Sequence, residues 1–268
     1  MIDIIAPKKS LGQNFLIDDN ISRKIIQQLD LHDGDIVLEI GPGTGALTTL
    51  LLEHNISLFV VEIDKRAVEL LQSKFADRSI TIINDDIRNV NINEIAKGRK
   101  IKVIGNLPYY ISADILFLLF ENYKIIERTI IMLQKEVAKR VCSKPDSKDY
   151  GILAVAASMI ASSRIAFDVS ANCFYPKPKV TSSILQIDYD KNLPEGIQFS
   201  KIMKLVKAAF SQRRKTLRNS LKAYISSFPP ELVSQFNEKN EELLNKRAET
   251  LTTEDFMNMY RDIINYEK

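Results

Sequence analysis

Glu39-Ile40-Gly41-Pro42-Gly43-Thr44-Gly45 lies between a β-branched run, Ile36–Ile40, and an apolar stretch with helical spacing, Leu47–Leu52. A glycine turn between strand and helix lets a ligand approach the backbone closely, and the helix start offers unpaired N–H groups. Glu62 ends the next β-branched run about twenty residues on, where a carboxylate can accept both ribose hydroxyls of an adenosine. With Ala46 the loop also fits G-x-G-x-x-A, the dinucleotide fingerprint, so spacing alone leaves two cofactors open. Charge separates them. Glu39, directly before the loop, would repel a pyrophosphate and suits the ammonium and sulfonium of S-adenosylmethionine. Asp85 and Asp86 close the third run, where one carboxylate, Asp86 in preference, can accept from an adenine amino group.

Outward from the loop, short apolar runs alternate with amphipathic stretches, the pattern of a parallel sheet covered by helices. Strands are predicted at Ile36–Ile40, Leu58–Ile63, Ile80–Ile83, Lys102–Gly105 and Thr129–Leu133, with crossover helices at Leu47–Leu52, Ala67–Phe75, Ile92–Ala96 and Ile115–Phe120. A helix precedes them at Asn20–Leu29, and Glu136–Val141 and Leu153–Ala161 follow. Ile165–Val169 and Ser183–Tyr189 read as an antiparallel edge. Seven strands suit a doubly wound α/β sheet of Rossmann-like type, with ligands at the carboxyl ends of its strands. The pattern breaks near Asp190–Gly196, and beyond it Ile202–Tyr224, Glu231–Phe236, Glu241–Leu244 and Phe256–Ile264 are all helical in period. Thr252 and Asp255 fit a capping pair for the last helix. Two domains are expected: 1–192, binding the cofactor, and 193–268, small and all-helical.

Gly105-Asn106-Leu107-Pro108-Tyr109-Tyr110 follows the fourth strand and faces the same cleft. The exocyclic amine of adenine is a poor nucleophile, because its lone pair is delocalised into the ring. The Asn106 side-chain oxygen and the Leu107 carbonyl form an acceptor pair that can hold both amine hydrogens and draw the nitrogen toward tetrahedral geometry. Pro108 fixes φ and lacks an N–H, which stiffens the loop. Tyr109 offers a ring to the base. Such a site works by positioning and electrostatics, without a covalent intermediate. In Cys173-Phe174-Tyr175-Pro176-Lys177-Pro178-Lys179 alternate prolines keep the chain extended. Phe174 is therefore expected to be presented to the target base opposite Tyr109, with Tyr175 packed on the sheet edge.

The 268 residues carry a formal net charge of only +3, with 45% hydrophobic and 26% charged residues, which is ordinary for a globular chain. The distribution is more telling. Between Gly196 and Pro230 there is no acidic residue, while Lys201, Lys204, Lys207, Arg213, Arg214, Lys215, Arg218 and Lys222 fall there. That concentration predicts a phosphate footprint, extended by Lys8, Lys9, Lys177 and Lys179. Cys142 and Cys173 imply no disulfide framework, and His32 and His54 have no ligand-spaced partners, so no metal is expected. No signal or membrane-spanning run is evident, and a cytoplasmic location follows as the expectation.

Six stretches together resemble one family over nearly the whole chain. They are Ser10–Leu16, Glu39–Gly45, Glu62, Asn106–Tyr109, Phe174–Val180 and Phe210–Leu217 (Phe-Ser-Gln-Arg-Arg-Lys-Thr-Leu). The sequence is similar to the ribosomal RNA adenine dimethyltransferases of the small subunit. The resemblance implies a class I methyltransferase fold in which Asn14, Leu16, Gly41, Glu62, Asp86 and Asn106 contact S-adenosylmethionine; the charge and loop argument adds Glu39 and Gly43 to the expected cofactor site. It implies that Asn106 orients the target amine and that Phe174 and Tyr109 hold the adenine. Lys177, Lys179, Arg213, Arg214, Lys215 and Arg218 would meet RNA. The implied substrate is two adjacent adenosines near the 3′ end of 16S ribosomal RNA, within the 30S subunit or its precursor, acted on by a monomer. Tyr110 stands where members often have Asn. Three rivals remain: a large-subunit methyltransferase of the macrolide-resistance type, against which Phe210–Leu217 argues; a DNA adenine methyltransferase, which would usually carry an acidic residue in place of Asn106; and a non-catalytic RNA-binding assembly factor, against which the intact Glu39, Glu62 and Asn106 argue.

Overall fold

A strand run apolar at every position has to be covered on both faces, and an amphipathic helix has to bury its stripe; each solves the other's problem. The computed structural model describes residues 5–8 and 11–264. Lys9 and Ser10, parts of the expected basic extension and of the first family stretch, lie outside the described residues. The chain forms two compact units. The first runs to Ala138 and resumes over Ser162–Asp190; the second takes Lys139–Ala161 and everything from Lys191 onward. Periodicity alone leaves residues 139–161 with the first domain.

In the first unit β1 (Phe15–Leu16) and α1 (Asp19–Leu29) precede β2 (Ile36–Ile40), α2 (Ala46–Leu51), β3 (Ser57–Val61), α3 (Lys65–Lys74), β4 (Ile80–Ile83), α4 (Ile92–Ala96), β5 (Ile101–Asn106), α5 (Ser112–Glu121) and β6 (Ile126–Gln134). After α6 (Lys135–Val141) and the helix α7 (Ile152–Ile160) come β7 (Ser162–Val169), β8 (Phe174–Tyr175) and β9 (Ser182–Asp188). The main sheet has seven strands in the order β4-β3-β2-β5-β6-β9-β7. The expected antiparallel edge is present: β7 and β9 pair at one end of the sheet, with β9 joining β6 and β7 outermost. Val37, Leu38, Val103, Ile104, Ile130 and Ile131 have no exposed surface, as strands covered on both faces require. From β2 the chain builds outward through β3 to β4, then returns to place β5 on the other side of β2. The β2/β5 boundary is therefore the switch point, where a crevice opens at the strand ends.

Gly105 sits on that boundary, opposite Ile40. A Cβ at Gly105 would lie 2.5 Å from the Ile40 carbonyl oxygen, which is backbone and cannot swing aside. Gly105→Ala is thus expected to push β5 off β2 and destabilise the protein by about 1–3 kcal/mol, the usual range for overpacking. Thermal unfolding should show a melting midpoint lower by several degrees, and an unchanged midpoint would contradict this account.

The two-stranded sheet of β1 and β8, pairing Phe15 with Tyr175 and Leu16 with Phe174, is absent from the sequence reading. Its strands are two residues long and nearly 160 residues apart in the chain, so no local period announces them.

In the second unit α7 is apolar on nearly every side, with Ala154, Val155, Ala156, Ala157, Met159 and Ile160 buried. It belongs with α8 (Phe199–Ala209), α9 (Leu217–Ser220), α10 (Lys222–Ile225), α11 (Pro230–Lys239), α12 (Glu241–Leu244) and α13 (Thr253–Ile264). The single helix expected over Ile202–Tyr224 is broken. A 3₁₀ turn follows α8 at Phe210–Gln212, and Thr216 is extended (φ −67°, ψ 159°) before its carbonyl starts α9. The break holds because Leu217 N–H donates to the Lys246 carbonyl (2.8 Å), a tertiary bond that helical continuation would forfeit. Thr252 and Asp255 cap α13 reciprocally: Thr252 N–H donates to Asp255 Oδ2 (2.8 Å) and Asp255 N–H to Thr252 Oγ1 (3.1 Å).

Candidate active site

At the switch point the ends of β2, β3 and β5 and the segment 11–16 line one open pocket. Asn14, Leu16, Glu39, Gly41, Gly43, Glu62, Asp86, Asn106, Leu107, Pro108 and Tyr109 all face it. These are the expected site residues of the first unit, with Phe174, Lys177 and Lys179 excepted.

The glycine loop spends its own donors. Gly41 N–H donates to the Val61 carbonyl (2.9 Å), Gly45 N–H to the Pro42 carbonyl (2.9 Å), and Gly43 N–H to Glu62 Oε2 (3.1 Å). A pyrophosphate cradle needs such N–H groups free. Here they hold the turn and a carboxylate. Glu62 Oε1 accepts from Asp64 N–H (2.8 Å), so the side chain is fixed at both oxygens, and burial raises its pKa. Gly43 has φ 56°, and a Cβ there would meet the Phe15 ring at 2.9 Å, so glycine is required twice over.

Glu39 is 1% exposed, and Thr48 Oγ1 donates to its Oε2 (2.7 Å). Burial pushes its pKa up to about 8, against the lowering by Thr48 and with the nearby Glu62 carboxylate adding to the rise. Two desolvated carboxylates in one cavity are poor company for a pyrophosphate. They fit a cation that also carries a diol, which is the donor set S-adenosylmethionine presents. Asp86 lines the same wall and caps the following 3₁₀ turn, accepting from Arg88 N–H (2.9 Å); its pairing with the Arg88 guanidinium lowers its pKa. Ile63, 49% exposed, and Ile87 supply apolar walls beside the two carboxylates. Sequence reasoning missed both. Ile63 reads from the sequence as the last residue of its predicted strand, Leu58–Ile63, whereas the strand ends at Val61 and leaves Ile63 at the pocket.

On the opposite wall, Asn106 Nδ2 donates to the Asn14 carbonyl (2.8 Å). That bond fixes which end of the amide is which, and among the described residues no group donates to Oδ1. Leu107 N–H donates to the Met132 carbonyl (3.0 Å), extending the sheet one residue past β5 and setting the peptide plane that carries the Leu107 carbonyl. Pro108 (φ −58°), the Ile111 N–H bond to its carbonyl (3.3 Å) and the bond from Ser112 Oγ to the Tyr109 carbonyl (3.1 Å) stiffen the turn. The half-buried Tyr109 ring is tethered by its hydroxyl, 2.6 Å from Ser182 Oγ, and burial raises its pKa. Tyr110, 60% exposed, lies over Gly12, where a Cβ would sit 3.2 Å from the ring.

Phe174 is not presented. It is 1% exposed and packs with Leu16, Val169 and Ile184, whereas Tyr175 is 49% exposed. The expectation is inverted because β8 pairs with β1: cross-strand partners share a face, so Leu16 and Phe174 both turn inward and Tyr175 turns out. The rings facing the pocket are Phe15, Tyr109 and Tyr110. Among the expected phosphate contacts, Lys177 and Lys179 are exposed in the first unit and Arg214, Lys215 and Arg218 in the second. Arg213 is exposed as well, with half its side chain open to solvent, and is also engaged within its own unit. Its guanidinium donates to the Lys148 (2.7 Å) and Tyr150 (2.9 Å) carbonyls and pairs with Glu249 (3.4 Å), which pins the loop ahead of α7.

The profile of the ribosomal RNA adenine dimethylase family matches residues 5–265. The chain is 41% identical to the ribosomal RNA small subunit methyltransferase A of Lachnoclostridium phytofermentans, covering 96% of this chain and 91% of that protein. It is 39% identical to the protein of the same name from Desulforapulum autotrophicum, covering 94% and 90%. Among solved structures, a dimethyladenosine transferase from Plasmodium falciparum superposes with a TM-score of 0.77 at 23% identity, covering 93% of this chain and 98% of that one. The 23S rRNA methyltransferase ErmE gives 0.67 at 23% identity, covering 94% and 100%. At that identity the two structures speak for the fold.

Proposed function

This chain belongs to the ribosomal RNA adenine dimethylase family, and from that premise we propose how its site works and where it acts. It is an S-adenosylmethionine-dependent methyltransferase that dimethylates adenine N6 in 16S ribosomal RNA. When bound, the cofactor supplies an electrophilic methyl group on a cationic sulfur. Asn14, Leu16, Gly41, Gly43, Glu62, Asp86 and Asn106 hold it, with Glu39 as the carboxylate nearest in kind to its positive charge. Asn106 Oδ1 and the Leu107 carbonyl accept the two hydrogens of the target amine, which frees its lone pair from conjugation with the ring. Tyr109 packs on the base. Catalysis is positioning and electrostatics within a stiff loop.

The observation that carries this reading is the spent Asn106 Nδ2: with the amide nitrogen committed to Asn14, Oδ1 is left as the acceptor. The target is two adjacent adenosines near the RNA 3′ end in a 30S particle or its precursor, and the enzyme acts as a cytoplasmic monomer. Among the described residues no helix is long and apolar enough to cross a membrane. The test is tritium transfer from labelled cofactor onto small and large subunits lacking the modification, followed by nucleoside analysis. Dimethyladenosine in the small subunit is expected. Label in another base, or in the large subunit, sinks the reading.

Lys177, Lys179, Arg213, Arg214, Lys215 and Arg218 supply phosphate contacts, Arg213 while also bonded within its own unit. The double variant Lys215→Ala/Arg218→Ala is expected to raise the RNA KM and to reduce the slope of log affinity against log salt by about 1–2. Its affinity for S-adenosylhomocysteine, measured by calorimetry, should stay unchanged; a loss there would mean the two residues support the fold instead.

A further inference from the structure

Resting on the reading of Asn106 above, we propose that Gln13 and Asp64 are positioning residues for methyl transfer, holding the backbone segment that orients the Asn106 amide. Asp64 is absent from the pocket wall, yet its side chain has no exposed surface. Four groups converge on its carboxylate. Arg66 donates from Nε (3.1 Å) and pairs through Nη2 (2.6 Å), Gln13 Nε2 donates at 3.0 Å, Lys8 Nζ at 3.3 Å, and Arg66 N–H makes the helix cap at 3.3 Å. Two of these partners, Lys8 and Gln13, come from the N-terminal segment more than fifty residues away in the chain.

Gln13 is held at both ends, since Lys8 N–H donates to its Oε1 (2.8 Å). Arg66 Nη1 adds a bond to the Ala6 carbonyl (3.1 Å). The next residue, Asn14, turns its own amide back onto the Gly12 carbonyl (3.1 Å) and offers its backbone carbonyl to Asn106 Nδ2 (2.8 Å). A continuous path of hydrogen bonds and one peptide link therefore runs from Asp64 through Gln13 and Asn14 to Asn106. Asp64 also donates its N–H to Glu62 Oε1, so the residue that anchors the segment sits on the turn that fixes the Glu62 carboxylate. The arrangement needs an acceptor-only side chain at 64 and an amide at 13. A carboxylate at 13 would face Asp64, which Arg66 holds ionised well below the usual range.

The test uses the full chain with Gln13→Ala and the length-preserving Gln13→Met. Single-turnover methyl transfer onto unmodified small subunits gives the rate and RNA titration gives KM. Both variants are expected to lose about tenfold in kcat, the cost of misplacing a reacting group slightly, with RNA KM within about twofold and a thermal transition retained. Gln13→Glu should be slower than either. Combining Gln13→Ala with Asn106→Ala should be no slower than Asn106→Ala alone, because one residue acts through the other. An unchanged kcat, a change confined to RNA KM or to cofactor affinity, an additive double variant, or loss of fold in both single variants would each overturn the proposal. A wild-type protein that transfers no methyl group would instead overturn the reading on which it rests.

Discussion

Asn106→Ala is expected to lower kcat for adenine methylation by about 10²–10³-fold, the cost of removing one preorganised polar group at a reacting centre. The amide does two jobs with two ends. Nδ2 is fixed on the Asn14 carbonyl, and on the proposed reading Oδ1 is left for the amine hydrogen. Alanine removes both, so the Leu107 carbonyl alone would hold the amine. Asn106→Asp separates the jobs. It keeps an acceptor toward the target but sets a carboxylate against the Asn14 carbonyl, where a donor stood 2.8 Å away. Its rate should fall between the wild type and Asn106→Ala. Single-turnover transfer onto unmodified small subunits measures both variants, and an Asn106→Ala rate within a factor of a few of wild type would remove Oδ1 from the mechanism.

The second large effect concerns Glu39 and pH. In the free protein its pKa is about 8 instead of the ordinary 4.5, mainly because burial disfavours the charged form. A cationic ligand favours the carboxylate, so below pH 8 binding must expel a proton. Affinity for S-adenosylmethionine should therefore rise with pH, by up to about tenfold per unit on linkage grounds, and level off above about 8. The stability of the free protein should run the opposite way. The folded state holds this proton more tightly than the unfolded one, so the contribution is full below 4.5 and is lost as pH rises through about 8. Glu39→Gln should remove both slopes and weaken binding at high pH by about 2 kcal/mol, roughly thirtyfold, as loss of a buried charge partner does. Calorimetry with the cofactor at several pH values measures this; pH-independent affinity in the wild type would mean that Glu39 does not face the cation.

Reading the chain located most of the pocket because its signals are local. Gly41–Gly45, Glu62 and Asn106–Tyr109 each follow a strand whose period is visible within five or six residues. The sheet then needs only the rule that ligands sit at a switch point to bring them together. Ile63 escaped notice because an apolar residue that closes a predicted strand, Leu58–Ile63, reads as part of its run, while the strand ends at Val61. Phe174 was misjudged for a different reason. Alternate prolines do predict an extended segment, but an extended segment has two faces, and which one turns inward depends on the register with Phe15–Leu16. The basic tract was legible as composition. That Arg213 is also bonded to two carbonyls and Glu249 was not.

The sequence by itself determined the seven strands of the main sheet, the glycine turn, the loop at Asn106–Tyr109 and the family, since each is written in neighbouring residues or in short spacings. Only the tertiary structure decided that Phe174 is core, that the helix after Ala209 breaks, and that Gln13 bonds to Asp64. Those outcomes depend on hydrogen bonds and strand register between residues tens to more than a hundred positions apart. A local pattern can propose such partners but cannot choose among them.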